Sequence, residues 1–303
     1  RGREADVPLR MVAHRYRVVD VFTERPLEGN ALAVFPDGGG LDDATMQRIA
    51  RELSLSETTF VLPPTRADCA ASVRIFTPAR ELPFAGHPTV GTAWVLLDEG
   101  MVEAGARARF ALEEGVGAVA VRVEAGARPL IWLTTPPIKE GRTFDRALCA
   151  RALGLDASDL LDVAPQLLDA GNPTLLVALK DRATVDRAWL DAAGMRSLKI
   201  AGDTPFCVFV FAPTPEGAYS RMFAPEYGIP EDPASGSSTG PLAALMMRHG
   251  LVSAGDGTRF VSEQGTRMGR RSLLHVEIHG DRGVKGIDVG GHVTPVADAT
   301  LRL

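Results

Sequence analysis

Arg74-Ile75-Phe76-Thr77-Pro78 followed by Ala85-Gly86-His87-Pro88-Thr89, and Arg221-Met222-Phe223-Ala224-Pro225 followed by Ser235-Gly236-Ser237-Ser238-Thr239, are two versions of one pattern in one order. A third pair precedes them: Gly29-Asn30-Ala31 leads an apolar run through Phe35, and Gly171-Asn172-Pro173 leads another through Leu179. Three matches in register over halves of similar length predict a duplicated unit. The boundaries that follow are a tail over 1–13, an N-terminal repeat over 14–129 and a C-terminal repeat over 130–286. A strand from about 287–303 is expected to complete the first repeat.

Each repeat reads as strand-rich. Tyr16 to Phe22, Leu55 to Leu62, Val119 to Val123 and Phe206 to Phe211 have the composition of strands, and Gly115-Val116-Gly117 that of a turn. Leu274, Val276 and Ile278 alternate with His275, Glu277 and His279, a period of two that predicts a strand with one wet face rather than a helical metal pair. Asp42 to Leu53 begins with acidic residues and places Met46, Ile49, Ala50 and Leu53 at helical spacing. Strands outnumber helices without a strict βαβ rhythm, so the class is α+β. Val90 to Leu97 and Leu242 to Met247 are apolar nearly all round, as helices inside a domain are. Pro88 and Pro241 fit their first turns, and Gly100 and Gly250 fit the left-handed position after their ends. If the repeats face each other, two buried helix starts converge on one cleft suited to a carboxylate; the bland alternative is that the glycines only permit tight entry to core helices.

Composition narrows the function. The 303 residues carry a net charge of −5 and 45% hydrophobic residues, values of a globular chain rather than a disordered or fibrous one. No basic run offers a face for nucleic acid. The apolar stretches fall far short of the roughly 20 residues that span a bilayer, and Arg1 to Ala13 lacks the apolar core of a signal peptide. A cytoplasmic enzyme acting on a small molecule is the expectation. Cys69, Cys149 and Cys207 are scattered and odd in number, so they read as small buried residues rather than a disulfide or zinc framework. Nucleotide-binding glycine motifs and metal-ligand clusters are not seen, so no cofactor is expected and the chemistry rests on side chains.

Leu55-Ser56-Glu57-Thr58-Thr59-Phe60, Phe76-Thr77-Pro78, Gly86-His87-Pro88-Thr89 and Glu231-Asp232-Pro233-Ala234-Ser235-Gly236-Ser237, with Glu263-Gln264-Gly265 and Met268-Gly269-Arg270, resemble the PhzF-like family, named for an isomerase of phenazine biosynthesis. The resemblance runs from about Tyr16 to the C-terminus. It implies the diaminopimelate epimerase fold, two pseudo-symmetric domains each with a mixed barrel-like sheet around a central helix, an active site between them, and a homodimer. Diaminopimelate epimerase uses two thiols; alignment puts Ala85 and Ser235 at those positions, and neither side chain can do that work. Two-thiol racemisation is thereby excluded. The second motif reads Pro233-Ala234-Ser235-Gly236-Ser237-Ser238 where the phenazine enzyme is closer to Pro-Ala-Thr-Gly-Ser-Ala, a change that bears on the substrate and not the fold.

Glu57 matches the glutamate that resembles the family's catalytic acid/base. Work near neutrality requires its pKa to be raised from the ordinary carboxylate value. Leu55, Phe60 and their strand are expected to supply the dry surroundings, and Asp232 the like charge. The competing reading is an exposed strand-end carboxylate or a cap. His87 and Asp232, each expected to begin a glycine-led helix, resemble residues that hold substrate and assist proton transfer, with helix capping as the alternative. The ordinary pKa of His87, near 6.5, allows either charge state. Ser237 and the N–H groups of Gly86 and Gly236 are expected to bind the anionic group. These residues predict a metal- and cofactor-independent isomerase acting on a small carboxylate. The other class considered is a non-catalytic metabolite-binding or interaction protein on the same scaffold. A racemase using other bases lacks a visible second proton donor.

Overall fold

A computed structural model describes residues 11–103, 109–253, 255–280 and 286–303. The tail expected over 1–13 lies outside the described residues up to residue 10. The first half of the chain forms β1 (Ala13–Val21), β2 (Asn30–Phe35), α1 (Asp43–Leu53), β3 (Glu57–Leu62), β4 (Ala71–Phe76), β5 (Glu81–Leu82), α2 (Gly86–Asp98), β6 (Arg109–Glu114), β7 (Gly117–Glu124) and β8 (Leu130–Thr134). The second forms β9 (Lys139–Thr143), α3 (Arg146–Ala152), β10 (Gln166–Asp169), β11 (Pro173–Ala178), α4 (Arg182–Arg187), α5 (Ala192–Leu198), β12 (Cys207–Thr214), β13 (Gly217–Ala224), β14 (Ile229–Asp232), α6 (Gly236–Arg248), β15 (Thr258–Gln264), β16 (Ser272–His279), β17 (Gly286–Gly291) and β18 (Val293–Arg302).

The repeat read from the sequence is a repeat of strand pairing. In the first half β1 and β2 run antiparallel, β2 lies parallel to β3, β3 and β4 are antiparallel, and β4 lies parallel to β6. In the second, β10 and β11, β11 and β12, β12 and β13, and β13 and β15 repeat those orientations in that order. Hairpins β6–β7 and β15–β16 follow. Antiparallel pairing of β8 with β17 joins the halves into one sheet, and β18 returns to pair with β1 along its whole length. This mixed sheet with few helices is an α+β fold of the diaminopimelate epimerase-like kind.

Local sequence explains the elements that hold the site. Helix α1 is capped by Asp42, whose side chain accepts from Thr45 N, and buries Met46, Ile49 and Ala50 as the spacing predicts. Strand β3 starts at Glu57, two residues inside the predicted segment. Its alternate residues divide between two sides: Thr59 meets Thr92 of α2 at 2.9 Å, and Phe60 stacks on Phe35 and meets Phe76 edge to face in the cluster under α1. Glu57 shares the α2 side, so Phe60 is not the wall that dries it, contrary to the sequence expectation.

Helices α2 and α6 are the inner helices of the two halves, buried around their whole first two turns. Gly100 and Gly250 follow their ends with φ of +66° and +65°, as expected. Pro241 corrects the sequence reading. It is the sixth helical residue and not a first-turn residue, because α6 already begins at Gly236. Among the described residues no helix is long and apolar enough to cross a membrane.

The starts of the two inner helices touch. A Cβ on Gly86 would lie 2.5 Å from the Cα and carbonyl carbon of Gly236 and from the amide of Ser237, all backbone atoms that cannot rotate away. Gly86→Ala therefore wedges the halves apart. The expected loss is about 1–3 kcal/mol, the range for overpacked sites, read as a lower urea midpoint at unchanged m-value.

Candidate active site

Glu57, the first residue of β3, and His87, the second of α2, are both nearly fully buried and line one cavity at the junction of the halves. Asp232, Ser235, Gly236 and Ser237 line it from the other half, and Ala85 and Gly86 from the half that holds Glu57. All six residues singled out from the sequence as site residues, Glu57, His87, Asp232, Gly86, Gly236 and Ser237, thus border one space. Its drier walls are Leu82, Met222, Ala224, Ile229 and Tyr227 rather than Leu55 and Phe60.

Neither inner helix has a side-chain cap. Ala85 and Ser235 occupy the N-cap positions, and neither makes a capping bond. His87 lies inside the helix and Asp232 ends β14, three residues short of the cap, so neither acts as the cap that was the alternative reading and Asp232 does not begin a helix. The first bonded amides are Thr89, to Ala85 O, and Ser238 and Thr239, to Ser235 O. The N–H groups of Gly86, His87, Gly236 and Ser237 are left facing the cavity region with no partner among the described residues. Two sets of free amides at touching helix starts are an arrangement that suits an anion.

Asn30, part of the repeated Gly-Asn pair but given no role from the sequence, ties Asp232 to His87. Its Nδ2 lies 2.7 Å from Asp232 Oδ1, 3.1 Å from Ala234 O and 3.1 Å from His87 Nδ1. The two oxygens only accept, which orients the amide, and an NH2 group only donates. His87 Nδ1 is therefore an acceptor, and the imidazole hydrogen sits on Nε2. That nitrogen stands 3.3 Å from Glu57 Oε2, but the alignment makes no hydrogen bond, and both atoms are buried without a partner. Asn172, at the matching place in the second repeat, donates to Phe84 O at 2.6 Å and reaches Ser237 Oγ at 3.5 Å. Gln264 Nε2 donates to Asp232 O at 2.7 Å and to Ser235 Oγ at 2.9 Å, while Ser235 Oγ donates to Asp232 Oδ2. The duplicated Gly29-Asn30 and Gly171-Asn172 was the signal that these asparagines matter.

Burial dominates the electrostatics. It pushes the Glu57 carboxyl well above the usual carboxylate range, and the charge of Asp232 adds to the rise. Asp232 is raised to about 7 by burial, against the hydrogen bonds from Ser235 and Asn30 that favour its ionised form. Burial also holds His87 down at about 3, so the imidazole is neutral at physiological pH and the two charge states allowed from sequence reduce to one. Hence Glu57 and His87 form a neutral contact in the resting site, not an ion pair. Cys207 is a small buried residue, as expected. Although outside both motifs it lines the cavity, and burial keeps its thiol protonated.

Away from this cavity, Glu277, His279 and Asp288 come close enough to hold a metal ion. Arg122 Nη2 already stands 2.6 Å from Glu277 and 3.3 Å from Asp288, so a fixed cation neutralises both carboxylates.

Two pseudo-symmetric sheet-and-helix halves meeting at an acid-lined cleft define an isomerase of the diaminopimelate epimerase-like fold. Residues 19–299 match the family model of phenazine biosynthesis-like proteins, and the chain belongs to that family. A trans-2,3-dihydro-3-hydroxyanthranilate isomerase of Pseudomonas aeruginosa is 36% identical over 294 residues, covering 96% of this chain and 100% of the relative. A solved structure of a Pseudomonas aeruginosa protein, described as a predicted epimerase, superposes with a TM-score of 0.81 at 34% identity over 95% of this chain and 99% of that one. A hydroxyproline epimerase from Agrobacterium vitis shares the fold, with a TM-score of 0.70 at 16% identity over 96% and 93% of the two chains.

The depressed pKa of His87 has a measurable sign. Between about 3 and 6.5 the unfolded chain binds the proton that folded His87 refuses, so this group makes stability fall as pH drops below 6.5. Asp232, raised to about 7, acts oppositely and lowers stability as pH rises from the ordinary aspartate range towards 7. In 15N-labelled protein the His87 ring nitrogens are expected to keep neutral-imidazole shifts throughout pH 5 to 8; a titration near 6.5 would overturn the assignment.

Proposed function

We propose that the protein moves a proton between two carbons of a small carboxylate-bearing, unsaturated metabolite, with the Glu57 carboxyl as the group that removes and returns it. The observation that carries this reading is a buried, unpartnered carboxyl oxygen at position 57, beside a neutral imidazole and opposite two uncapped helix starts. The Pseudomonas relative is named for an isomerase whose substrate is a cyclic carboxylate, which supports this class.

In this mechanism the substrate carboxylate accepts from the amides of Gly86, Gly236 and Ser237 and from Ser237 Oγ. Ionised Glu57 takes a proton from one carbon, the bonding pair spreads into the adjacent double bond, and the new carboxylic acid gives the proton to the far carbon of the allylic system. The carboxylate is restored and no external donor is consumed. His87 Nε2–H donates to a substrate oxygen as charge develops there. Asp232 acts through Asn30, which holds the His87 tautomer, and through its own charge, which keeps the pKa of Glu57 high enough to return the proton. Leu82, Met222 and Ile229 keep water from the intermediate.

Incubated in deuterated water with trans-2,3-dihydro-3-hydroxyanthranilate and a panel of small unsaturated carboxylates, the protein is expected to place deuterium on carbon for at least one compound. Glu57→Gln should slow this by about 10² to 10⁴, the usual range for a general acid/base. Binding without exchange, unaltered in the variant, would instead mark a binding protein on the isomerase scaffold. Because the reaction begins with ionised Glu57, kcat/KM should rise with pH along a limb placed above the ordinary carboxylate range. Asp232→Asn, by removing the like charge, should shift that limb to lower pH whatever it does to the rate.

A further inference from the structure

None of the residues lining the cavity is a lysine or arginine, yet two of them are carboxylic acids, and the substrate class proposed above is itself an acid. A cation stands just behind one wall. Arg80 lies in the turn between β4 and β5, flanked in sequence by the lining residues Thr77 and Leu82. Its guanidinium carbon is 4.3 Å from the centre of the Tyr227 ring, and Tyr227 also lines the cavity. This contact crosses between the halves, because Tyr227 belongs to the matching turn between β13 and β14. The two turns meet closely: a Cβ on Gly228 would stand 4.0 Å from that of Ala79. Ala79 and Gly228 are exposed while the helix starts are buried, so the paired turns are the solvent side of the site and form its mouth.

The turn fixes the backbone of Arg80, and its side chain makes no ion pair among the described residues. Thr77 N and Oγ1 both donate to Arg80 O, at 2.9 Å each, and Arg80 N donates back to Thr77 Oγ1 at 3.0 Å. Gln47 Nε2 pins the same turn through Thr77 O at 2.8 Å. Tyr227 is fixed in turn by donation from its hydroxyl to Pro205 O at 3.0 Å. Against this rigid frame, the Arg80 Nε is buried with no hydrogen-bond partner. No ion pair among the described residues includes Arg80, although Arg74, in the strand just before the turn, is held by both Asp43 and Glu81. The charge of Arg80 reaches the cavity: after burial, Asp232 and Glu57, which raise the Cys207 thiol, Arg80 is the group that pulls it down. A planar guanidinium stacked on an aromatic ring keeps its in-plane donors free for a carboxylate.

We propose that Arg80 receives a second carboxylate of the substrate at the mouth of the cavity, so that the physiological substrate is a small dicarboxylate. One carboxylate sits at the paired helix starts and the other at the Arg80 fork, with the acidic C–H between them at Glu57. This rests on the reading of Glu57 and the helix starts given above. It separates this chain from a relative whose named substrate carries one carboxylate.

Pent-2-enoate and its dicarboxylate counterpart glutaconate share a carbon skeleton and differ only in the second acid. Titrated calorimetrically at fixed ionic strength, glutaconate should bind the wild-type protein about tenfold or more tighter than pent-2-enoate, as a charge-assisted pair predicts. Arg80→Gln should bring the two within about twofold, and Arg80→Lys, which keeps charge but loses the fork, should fall between them. Near-ultraviolet circular dichroism confirms that the variants are folded. Equal affinity for the two ligands in the wild type, or an advantage that survives Arg80→Gln, overturns the proposal. Deuterium exchange into glutaconate separates the two levels: Glu57-dependent exchange with no Arg80-dependent affinity sinks only the second-carboxylate site, whereas exchange indifferent to Glu57→Gln sinks the reaction itself.

Discussion

Contact between two bare helix starts is the constraint from which the rest of the molecule follows. Helices α2 and α6 meet at Gly86 and Gly236, where no side chain fits, and neither helix caps itself. Unsatisfied amides buried without partners are ordinarily destabilising by a few kcal/mol apiece. They persist here because the sheets around each helix bury so much apolar surface that the ends are held in place. Val90, Ala93, Val95 and Leu96 on α2, and Leu242, Ala243, Leu245 and Met246 on α6, are fully or almost fully buried. The fold stores a binding surface as unmet hydrogen bonds, and an anion is the partner that would satisfy them.

Duplication supplies matched positions, and divergence between them gives the cleft its direction. Leu32 pairs with Glu57 in the first half and Thr174 with Cys207 in the second, so Cys207 is the counterpart of Glu57. Met222 pairs with Asp232 where Ile75 pairs with Leu82, so the second carboxylate has an apolar counterpart. Ala85 answers Ser235, and His87 answers Ser237. The asparagines, in contrast, are the same in both halves, and each reaches across to a backbone carbonyl of the other, Asn30 to Ala234 and Asn172 to Phe84. Structural ties are thus symmetric and chemical groups are not. Glu114 and Gln264, at matching ends of β6 and β15, show the same split: Gln264 braces the Asp232 turn, while buried Glu114, raised to about 8, accepts from Thr89.

The repeat, the strand-rich class and the inner helices were legible because each leaves a pattern along the chain, in recurring motifs, alternation, apolar runs and glycines where backbones touch, whereas the six lining residues were singled out mainly through the family resemblance their motifs carry. What the chain order hides is which side of an element a residue takes and what stands behind it. Phe60, three residues from Glu57, belongs to the opposite side of β3. Asp232 sits beside a helix start in sequence yet belongs to a strand, because α6 begins only after the Pro233-Ala234 turn. Cys207 carries no motif and arrives at the cavity through parallel pairing of β11 with β12, a contact set by register alone. Protonation states were the least legible of all, since they depend on burial, which is a property of the assembled halves.

That burial creates a conflict which the site resolves by position. In the proposed reaction, drying Glu57 strengthens its carboxylate as a base towards a carbon-bound proton, but the same dryness keeps it protonated, and a neighbouring Asp232 charge makes ionisation harder still. Bringing in an anionic substrate would compound the repulsion if nothing offset it. The offset lies opposite the acids, in amide dipoles that are already aligned and need no reorganisation when charge moves. Under the proposed mechanism a neutral His87 completes the arrangement: a charged imidazole would hold Glu57 as an ion pair, whereas a neutral Nε2–H can donate to the substrate as charge builds on it and leaves the carboxyl free to carry the proton.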